Sequence, residues 1–291
     1  MRLFEDRGVV LFDAAMGTAL LSAGQPKGTG SEEMTDTAPE TVLSIHLENI
    51  DAGSDVVSSN TFGITQMMMR GERGSAINTL EKAVKIAKKA AAGSEREVFA
   101  CLDIGPSGAL LGPLGGTSYE EAEALFAEQA EAGERAGADF ILLETFGDHE
   151  EFACAARGAK KASGLPVLGT MTFGEGGRSY MGASPEDLIR IAREEGLAAT
   201  GLNCTLTPEE MIPIIIRLLS LADGLPIIAQ PNAGQPVIEG GKPVYKTSDE
   251  AFLAGAEKLI ALGVSGIGGC CGTTPAIISE IRVIIDWRKK T

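Results

Sequence analysis

The stretch GIGGCC at residues 266–271 leads into the helical pattern PAIISEIRVIIDWRKK at 275–290, so a buried strand joins an amphipathic helix. The strand segment is apolar with little alternation, as expected for a parallel sheet covered on both faces. The same succession of strand and helix occurs eight times along the chain. The other seven predicted strands span residues 9–14, 55–60, 98–104, 139–145, 166–173, 199–204 and 226–232.

A helical pattern follows each of these strands, at residues 39–53, 77–93, 119–137, 150–164, 185–196, 208–224, 249–263 and 275–290. Eight consecutive units predict a single (β/α)8 TIM barrel over residues 1–291. An open doubly wound sheet is the alternative, although no GxGxxG motif follows the first strand. Ser184 and Thr207 are predicted N-caps, because each precedes a proline that opens a helix. The polar stretch 23–38 predicts a surface loop near the barrel mouth.

The composition limits the classes of partner. The chain of 291 residues carries a net charge of −15, which disfavours binding to nucleic acids or to anionic membrane surfaces. No apolar run reaches the ~20 residues of a transmembrane helix, and no secretory signal is evident, so a cytoplasmic protein is expected. Five cysteines at these spacings do not indicate a disulfide framework.

Catalytic groups of such barrels lie where the strands end, so the residues at those positions are the candidates for function. They are, in chain order, Asp13, Asn60, Asp103, Glu144, Thr172, Asn203 with Cys204, Asn232, and Cys270 with Cys271. Three of the five cysteines therefore share one rim. Cys101 and Cys154 do not, and they are interpreted as buried packing residues.

Cys204, Cys270 and Cys271 are the predicted metal ligands and catalytic residues. Three thiolates and one exchangeable position are typical of a catalytic zinc site, since structural zinc sites use four protein ligands. Gly268 and Gly269 are expected to let the backbone bend so that both adjacent cysteines reach one ion. Simple packing or a redox dithiol are the alternatives, but the CxxC spacing of the latter is missing.

A zinc ion with three anionic sulfurs favours a bound substrate thiolate as nucleophile, and the predicted reaction is alkyl transfer to a thiol. A thiol that is also an amino acid needs an anion for its ammonium group. Glu144 and Asp13 are candidates for that anion, with loop capping or pairing to basic residues as the alternative for both. The backbone from Ala14 to Gly17 is a candidate for binding the substrate carboxylate.

Several candidates have equally plausible local roles. Asp103, in the stretch LDIGPSG, is either a substrate ligand or a turn residue. Asn232 either occupies the fourth metal position until substrate arrives or satisfies the backbone of its own turn. His46 and His149 fall on or beside helices and are not expected to bind the metal. A zinc-storage or scaffold protein without catalysis remains open as another class of function.

The motifs DAAMGT, SNTFG, DIGPSG, LLETF, MTFGEGGRS, GLNC, QPNAG and GGCCGTTP together resemble the homocysteine S-methyltransferase family. Within that family the chain looks most like the homocysteine-binding module of cobalamin-dependent methionine synthase. The resemblance spans nearly the whole chain, and GGCCGTTP with an upstream GLNC is its most specific part.

The resemblance implies zinc on Cys204, Cys270 and Cys271, with methionine formed from homocysteine. It implies that Glu144 binds the homocysteine amino group, with Asp13 nearby. It also places Asn232 close to the metal. The expected substrate-binding set further contains Ala14, Asn60, Asp103 and Asn203, which are chosen for their positions at the strand ends. The family's usual Asp-Gly after strand one is Asp13-Ala14 here, and the added Cβ restricts positive-φ conformations and crowds a ligand.

The methyl donor follows less directly from the resemblance. Methionine synthase carries further modules for folate and cobalamin, which 291 residues could not supply, so either the chain is a fragment or the methyl group comes from a separate molecule. The resemblance favours a separate corrinoid protein that carries methylcobalamin. A corrinoid system with a different thiol acceptor, or a small donor such as S-methylmethionine or a betaine, are the alternatives.

Overall fold

The computed structural model describes residues 2–5, 8–240 and 242–289. Ten strands occur among these residues: β1 (Val10–Leu11), β2 (Val56–Ser58), β3 (Phe99–Ile104), β4 (Phe140–Phe146), β5 (Val167–Met171), β6 (Ala199–Asn203), β7 (Ile227–Gln230), β8 (Val237–Glu239), β9 (Lys242–Val244) and β10 (Gly266–Ile267). All but β8 and β9 belong to one parallel sheet, while those two form a separate antiparallel hairpin.

The helices of the described residues alternate with the strands. They are α1 (Arg2–Glu5), α2 (Met16–Ser22), α3 (Met34–Thr37), α4 (Pro39–Asp51), α5 (Ile64–Met69), α6 (Arg73–Ala92), α7 (Tyr119–Ala136), α8 (His149–Ala162), α9 (Pro185–Glu194), α10 (Pro208–Ala222), α11 (Asp249–Leu262) and α12 (Pro275–Arg288). The predicted N-caps Ser184 and Thr207 are confirmed, because each side chain accepts a hydrogen bond from the third helical N–H. No described helix is long and apolar enough to cross a membrane.

The sheet runs in the order β1-β10-β7-β6-β5-β4-β3-β2, and every ladder in it is parallel. Its two ends, β1 and β2, meet at a seam that hydrogen bonds close. The Asp55 N–H donates to the carbonyl of Leu11 at 2.7 Å, and the Asp55 carboxylate accepts from the Leu11 N–H at 2.9 Å. Near the other end of the seam, the Ser58 N–H donates to the Asp13 carboxylate at 2.8 Å. The barrel prediction is confirmed, and the open doubly wound sheet is wrong.

Alternating side chains of each strand divide the core into two layers. Val10, Val56, Phe140, Leu142 and Ile228 pack with Leu3 of α1 inside the barrel. The residues between them, among which are Leu11 and Ile141, pack outward against the helices. Burial on both faces explains why these strands show no polar alternation in the sequence. Because Leu3 joins the interior cluster, α1 covers the N-terminal end of the barrel.

The observed elements differ from the predicted ones mainly outside the eight units. Most strands are shorter than predicted; β1, for example, covers two residues of the expected 9–14. Helices α2 and α5, the early start of α6 at Arg73 and the β8–β9 hairpin were not predicted. The segment 23–38 does lie at the mouth, but it contains α3, and Met34 and Thr35 are buried. The prediction of an exposed loop is wrong for that part.

Candidate metal and substrate site

The interior face of the barrel changes from apolar to polar toward the C-terminal ends of the strands. In β4, Phe140 and Leu142 are followed two residues later by Glu144, and in β3 Cys101 is followed by Asp103. Strand β6 ends in the same way at Asn203. Because side chains with a period of two share one face of a strand, these polar groups converge at one rim.

Three thiols meet at this rim. The Sγ atoms of Cys204, Cys270 and Cys271 all lie within 4.8 Å of one another. The sulfurs of Cys204 and Cys271 are 3.9 Å apart. Cys204 follows β6 and the other two follow β10, and β7 alone separates these strands in the sheet. The predicted convergence of the three cysteines is therefore present in the fold.

Main-chain hydrogen bonds to the loop after β7 hold the adjacent cysteines in place. The Cys270 N–H donates to the Pro231 carbonyl at 2.8 Å, and the Ala233 N–H donates to the Cys271 carbonyl at 2.9 Å. Cys204 lies in the left-handed region with φ of 61°, which re-aims its side chain as the strand ends. Both backbone features are needed because successive residues of an ordinary strand point to opposite faces.

Glycines around the cysteine pair allow close approach. A Cβ on Gly269 would lie 2.3 Å from the Thr273 hydroxyl, and a Cβ on Gly272 would lie 2.3 Å from the ring of Tyr245. Gly272 also has φ of +83°, whereas Gly268 and Gly269 do not adopt a left-handed conformation. Gly269 and Gly272 are therefore required for close packing, and the bend expected at Gly268 and Gly269 stays a prediction.

The three thiols share their protons unequally. Hydrogen bonds from Cys204 and Cys270 lower the pKa of Cys271 to about 3. Hydrogen bonding to Cys204 and Cys271, together with burial, raises the pKa of Cys270. One thiolate is thus stabilised by two neighbouring S–H groups. A divalent cation would displace the remaining protons, since metal binding favours deprotonated ligands.

The donor set fits zinc. Tetrahedral zinc with Zn–S bonds of about 2.3 Å places its sulfurs about 3.8 Å apart, close to the 3.9 Å between Cys204 and Cys271. Soft thiolate ligands favour zinc over magnesium or calcium, which prefer oxygen. Among the described residues this is the one group of three or more Cys, His, Asp or Glu side chains close enough to hold an ion.

A cavity of about 520 Å³ adjoins the thiols. Its lining contains four carboxylates, those of Asp13, Glu32, Asp103 and Glu144. Among the described residues the lining contains no Lys, Arg or His. The hydroxyl and amide groups of Ser58, Ser59, Asn60, Thr61 and Gln230 also line it. The cavity is therefore strongly acidic and rich in hydrogen-bond acceptors, which suits a ligand with a cationic group.

Crowding and burial keep these carboxyl groups from ionising easily. Burial raises the pKa of Glu144 to about 8, with further contributions from Cys204 and Asp13. Burial likewise raises the pKa of Asp13 to about 7, against two hydrogen bonds from Ser58. The pKa of Asp103 is raised by burial and by Glu144. A bound cation would reverse these shifts, because it stabilises the charged form of each carboxyl group.

Asp13 and Ala14 line the cavity beside the seam. Asp13 accepts from the backbone and side chain of Ser58 at 2.8 and 3.0 Å. The Ala14 N–H donates to Asn49 at 2.9 Å, so this amide is already occupied. Ala14 is not among the residues with positive φ. The expected backbone restriction at Ala14 therefore does not arise, although its Cβ still narrows the cavity.

The three predicted asparagines have different surroundings. Asn60 lines the cavity and donates to the Ser31 carbonyl at 2.7 Å, which fixes the loop before α3. Asn203 is buried beside Glu144 and is bonded to protein groups on both sides of its amide. Asn232 is buried with its Oδ1 atom unpartnered among the described residues, and it is not part of the cavity lining.

The other cysteines and the histidines lie away from the thiol group. Cys154 is on α8 and Cys101 is inside the barrel, and both are buried. Burial lowers the pKa of His46 to about 4, so its imidazole is neutral at physiological pH. His149 begins α8 near Asp148 and Glu150.

Sequence reasoning missed much of the cavity lining, including Glu32, Phe62, Gln230 and Tyr245. Glu32 is on the irregular 23–38 segment and accepts from the Gly63 N–H at 2.7 Å. Tyr245 follows the β8–β9 hairpin, where no periodicity marks it. Gln230 could have been found, since it is the last residue of β7 and ends a strand as the chosen candidates do.

The chain is similar in sequence to proteins of known function. Residues 10–285 match the family model described as homocysteine S-methyltransferase. The methionine synthase of Mycobacterium tuberculosis is 31% identical in an alignment that covers 95% of this chain and 24% of that protein. Homocysteine S-methyltransferase 2 of Arabidopsis thaliana is 26% identical in an alignment that covers 84% of this chain and 83% of that one.

The fold also matches a solved structure. The homocysteine methyltransferase MmuM from Escherichia coli, in a metallated form, superimposes with a TM-score of 0.81 over 97% of this chain and 98% of that chain. The sequence identity is 22%, so this match supports the barrel fold. The chain spans about a quarter of the length of the methionine synthase that it matches.

Proposed function

The chain belongs to the homocysteine S-methyltransferase family, and from this premise we propose that it transfers a methyl group to the thiol of homocysteine and forms methionine. The observation that carries the proposal is the convergence of Cys204, Cys270 and Cys271 beside an acidic cavity. We also propose that residues 1–291 act as a single homocysteine-binding domain. The cytoplasmic location expected from the sequence remains a prediction.

Zinc is the proposed metal, and the three cysteines would hold it. When bound, the ion supplies a site at which a substrate thiol loses its proton while its sulfur remains nucleophilic. The protein contributes the three sulfurs, whose backbone is fixed by Pro231 and Ala233. It also keeps the sulfurs half-buried at the cavity wall, so that a small thiol can reach them.

Glu144 is the proposed partner of the homocysteine ammonium group. Its carboxyl group lies in the same cavity as the thiols, and it interacts electrostatically with Cys204. An ammonium group beside Glu144 would lower the pKa of that carboxyl group, so the ion pair forms as substrate binds. Asp13 and Asp103 are proposed to add to the negative field that orients the amino-acid end.

The reaction then needs a methyl donor. The thiol proton of homocysteine leaves to solvent, a new S–CH₃ bond forms, and the bond between the methyl group and its donor breaks. We propose a separate corrinoid protein with methylcobalamin as donor, a proposal supported by the 31% identity to a methionine synthase. Such a protein would dock at the barrel mouth, where the cavity opens.

A second candidate donor is a small cation such as S-methylmethionine or a betaine. The observation that favours it is the absence of Lys, Arg and His from the described cavity lining, which contains four carboxylates. Asp103 strengthens this case, because it is 5% exposed and its Oδ1 atom lacks a hydrogen-bond partner among the described residues. A buried acceptor without a partner favours a ligand that donates or carries positive charge.

One experiment tests the function and separates the donors. Zinc-loaded protein and homocysteine are incubated together in four parallel reactions. The donors are methylcobalamin, a methylated corrinoid protein, S-methylmethionine and glycine betaine, and methionine is quantified by mass spectrometry. Methionine from any donor supports homocysteine methylation, and the productive donor identifies the branch. If no donor gives methionine but the same donors methylate another thiol tested in place of homocysteine, the acceptor assignment is wrong. Tight zinc binding without any thiol-dependent change in zinc coordination would instead indicate a storage protein.

A further inference from the structure

Asn203 joins the two halves of the site. It is fully buried at the end of β6. Its Oδ1 atom accepts from the Thr145 N–H at 2.8 Å and from the Thr170 hydroxyl at 2.8 Å. Its Nδ2 atom donates to the Thr145 hydroxyl at 2.6 Å. Both polar atoms of the amide are thus engaged by protein groups, which leaves little capacity for direct substrate binding.

The same amide lies between the carboxylate and the sulfurs. Its Nδ2 atom is 3.5 Å from the Glu144 Oε2 atom and 4.0 Å from the Cys270 Sγ atom. Asn203 also directly precedes Cys204 in the chain, so the position of Asn203 restrains the backbone of Cys204. One buried side chain therefore contacts or adjoins the proposed ammonium partner and two of the three proposed metal ligands.

Two strained backbone positions flank this amide. Thr145 has φ of 63° and Cys204 has φ of 61°, although neither is glycine. Left-handed conformations are unfavourable for such residues and persist where surrounding contacts enforce them. The Asn203 side chain supplies such contacts for Thr145, because it bonds both the N–H and the hydroxyl of that residue. The Thr145 N–H belongs to the peptide that joins Thr145 to Glu144, so its bond to Asn203 restrains the backbone from which the Glu144 side chain projects.

We propose that Asn203 is a positioning residue that fixes Glu144 relative to the thiol group, and so sets the selectivity for thiols that carry an α-amino group. This proposal rests on the proposed function, in which Glu144 receives the homocysteine ammonium. Asn203 acts through Thr145 and Glu144 and does not touch the reacting atoms. Its removal should therefore weaken recognition of the amino group more than it weakens recognition of the thiol.

The test compares two thiols that differ in the amino group alone. Binding of homocysteine and of 4-mercaptobutyrate to zinc-loaded protein is measured by calorimetry. The Kd of 4-mercaptobutyrate divided by the Kd of homocysteine gives the amino-group selectivity. We expect Asn203→Ala to reduce this ratio by about tenfold, the scale of one hydrogen-bonded charge interaction. Zinc content should remain one ion per chain, since all three cysteines are intact.

A double-mutant cycle shows whether Asn203 works through Glu144. Glu144→Gln should itself remove most of the selectivity, and adding Asn203→Ala to it should change the ratio little, because residues in one network are non-additive. Thr200→Val is the matched control. Thr200 is a fully buried polar residue of the same strand and donates to the Gly169 carbonyl, away from the site. Its selectivity should equal that of the unaltered protein.

Asn203→Asp covers the case in which Asn203→Ala does not fold. Its carboxylate can still accept from Thr145 and Thr170, but it cannot donate and it repels Glu144, so selectivity should fall as well. Equal weakening of both thiols in Asn203→Ala, additive effects in the cycle, or unchanged selectivity in Asn203→Asp would each overturn the proposal. Failure of the unaltered protein to bind homocysteine would instead overturn the proposed function.

Discussion

Two aspartates close the same seam of the barrel, one near each end, and their surroundings are opposite. Asp55, at the N-terminal end, accepts from the Leu11 N–H and pairs with Arg282 at 3.2 Å and Arg96 at 3.6 Å. Asp13, at the C-terminal rim, accepts from the Ser58 N–H, and no basic side chain is among the described residues that line its cavity.

Other acidic residues follow the same division. Asp139 precedes β4 as Asp55 precedes β2, and it accepts from the Ala100 N–H and from Lys88. Asp103 and Glu144 at the rim share the cavity with Asp13 instead; burial raises the pKa of each, Glu144 and Asp13 raise that of Asp103 further, and Cys204 and Asp13 raise that of Glu144 further. The N-terminal end thus neutralises its buried charge, while the rim retains acceptor groups for a ligand. Stability and function are expected to separate along the barrel axis.

The largest expected effect is at the rim. Cys271→Ala removes one of the three proposed zinc ligands, and methyl transfer should fall by at least about 10³-fold, as when one member of a catalytic unit is deleted. Zinc bound per chain, measured by plasma mass spectrometry, should fall with it. Cys154→Ala is the matched control, because Cys154 is a buried cysteine on α8. Full activity of zinc-free Cys271→Ala would refute the metal assignment.

The next effect is at the opposite end and concerns stability. Asp55→Asn removes one of the two carboxylates that pair with Arg282, the other being Asp286 at 3.0 Å, and loss of this charged hydrogen bond should cost about 2 kcal/mol. Urea denaturation should show the loss, whereas KM for homocysteine should stay unchanged. Glu209→Gln is the control, since it removes an exposed pair with Lys258 and should cost less than about 1 kcal/mol. A large change in KM for Asp55→Asn would contradict the separation of the two ends.

The ionisation of Asp13 should make the free energy of unfolding depend on pH. Its pKa rises from 3.8 to about 7 on folding. The folded state therefore binds more protons in this range, and stability should decrease as the pH rises from about 4 to 7. Asp13→Asn should flatten that part of the curve, measured by urea denaturation of metal-free protein at several pH values. An unchanged slope would show that Asp13 ionises normally.

The smallest expected effect is that of His46, which lies on α4 in the helical layer. Its effect on the pH dependence of stability is opposite in sign to that of Asp13. The pKa of His46 falls from 6.5 to about 4 on folding because its imidazole is buried. The unfolded state binds more protons between these values, so stability should increase as the pH rises from about 4 to 6.5. His46→Leu should remove this increase in the same denaturation series. If the increase persists, another group is responsible for it.

Much of the fold followed from the sequence because each of the eight strands is a short apolar run with a helical pattern behind it. The convergence of Cys204 with Cys270 and Cys271 followed from the barrel, since residues at strand ends share a rim. Residue type and position at a strand end were enough to select the sulfur, carboxylate and amide groups of the site as candidates before any distance was known.

The features that were missed depend on tertiary contacts. Helices as short as α2 and α5 are not stable alone and have weak sequence signals. Tyr245 is defined by its packing on Gly272, a contact between segments that no local pattern encodes. Asn203 was selected as a substrate ligand, whereas its amide is engaged by Thr145 and Thr170. Its position in the sequence could not reveal how its hydrogen bonds are used.

The seam between β1 and β2 also provides two spectroscopic reporters. The amide proton of Leu11 is held by Asp55 and that of Ser58 by Asp13, so each is protected by a side chain rather than by a neighbouring strand. Their hydrogen-exchange rates would follow local opening at the two ends of the barrel separately. Ligand binding at the mouth should slow exchange at Ser58 while leaving Leu11 unchanged.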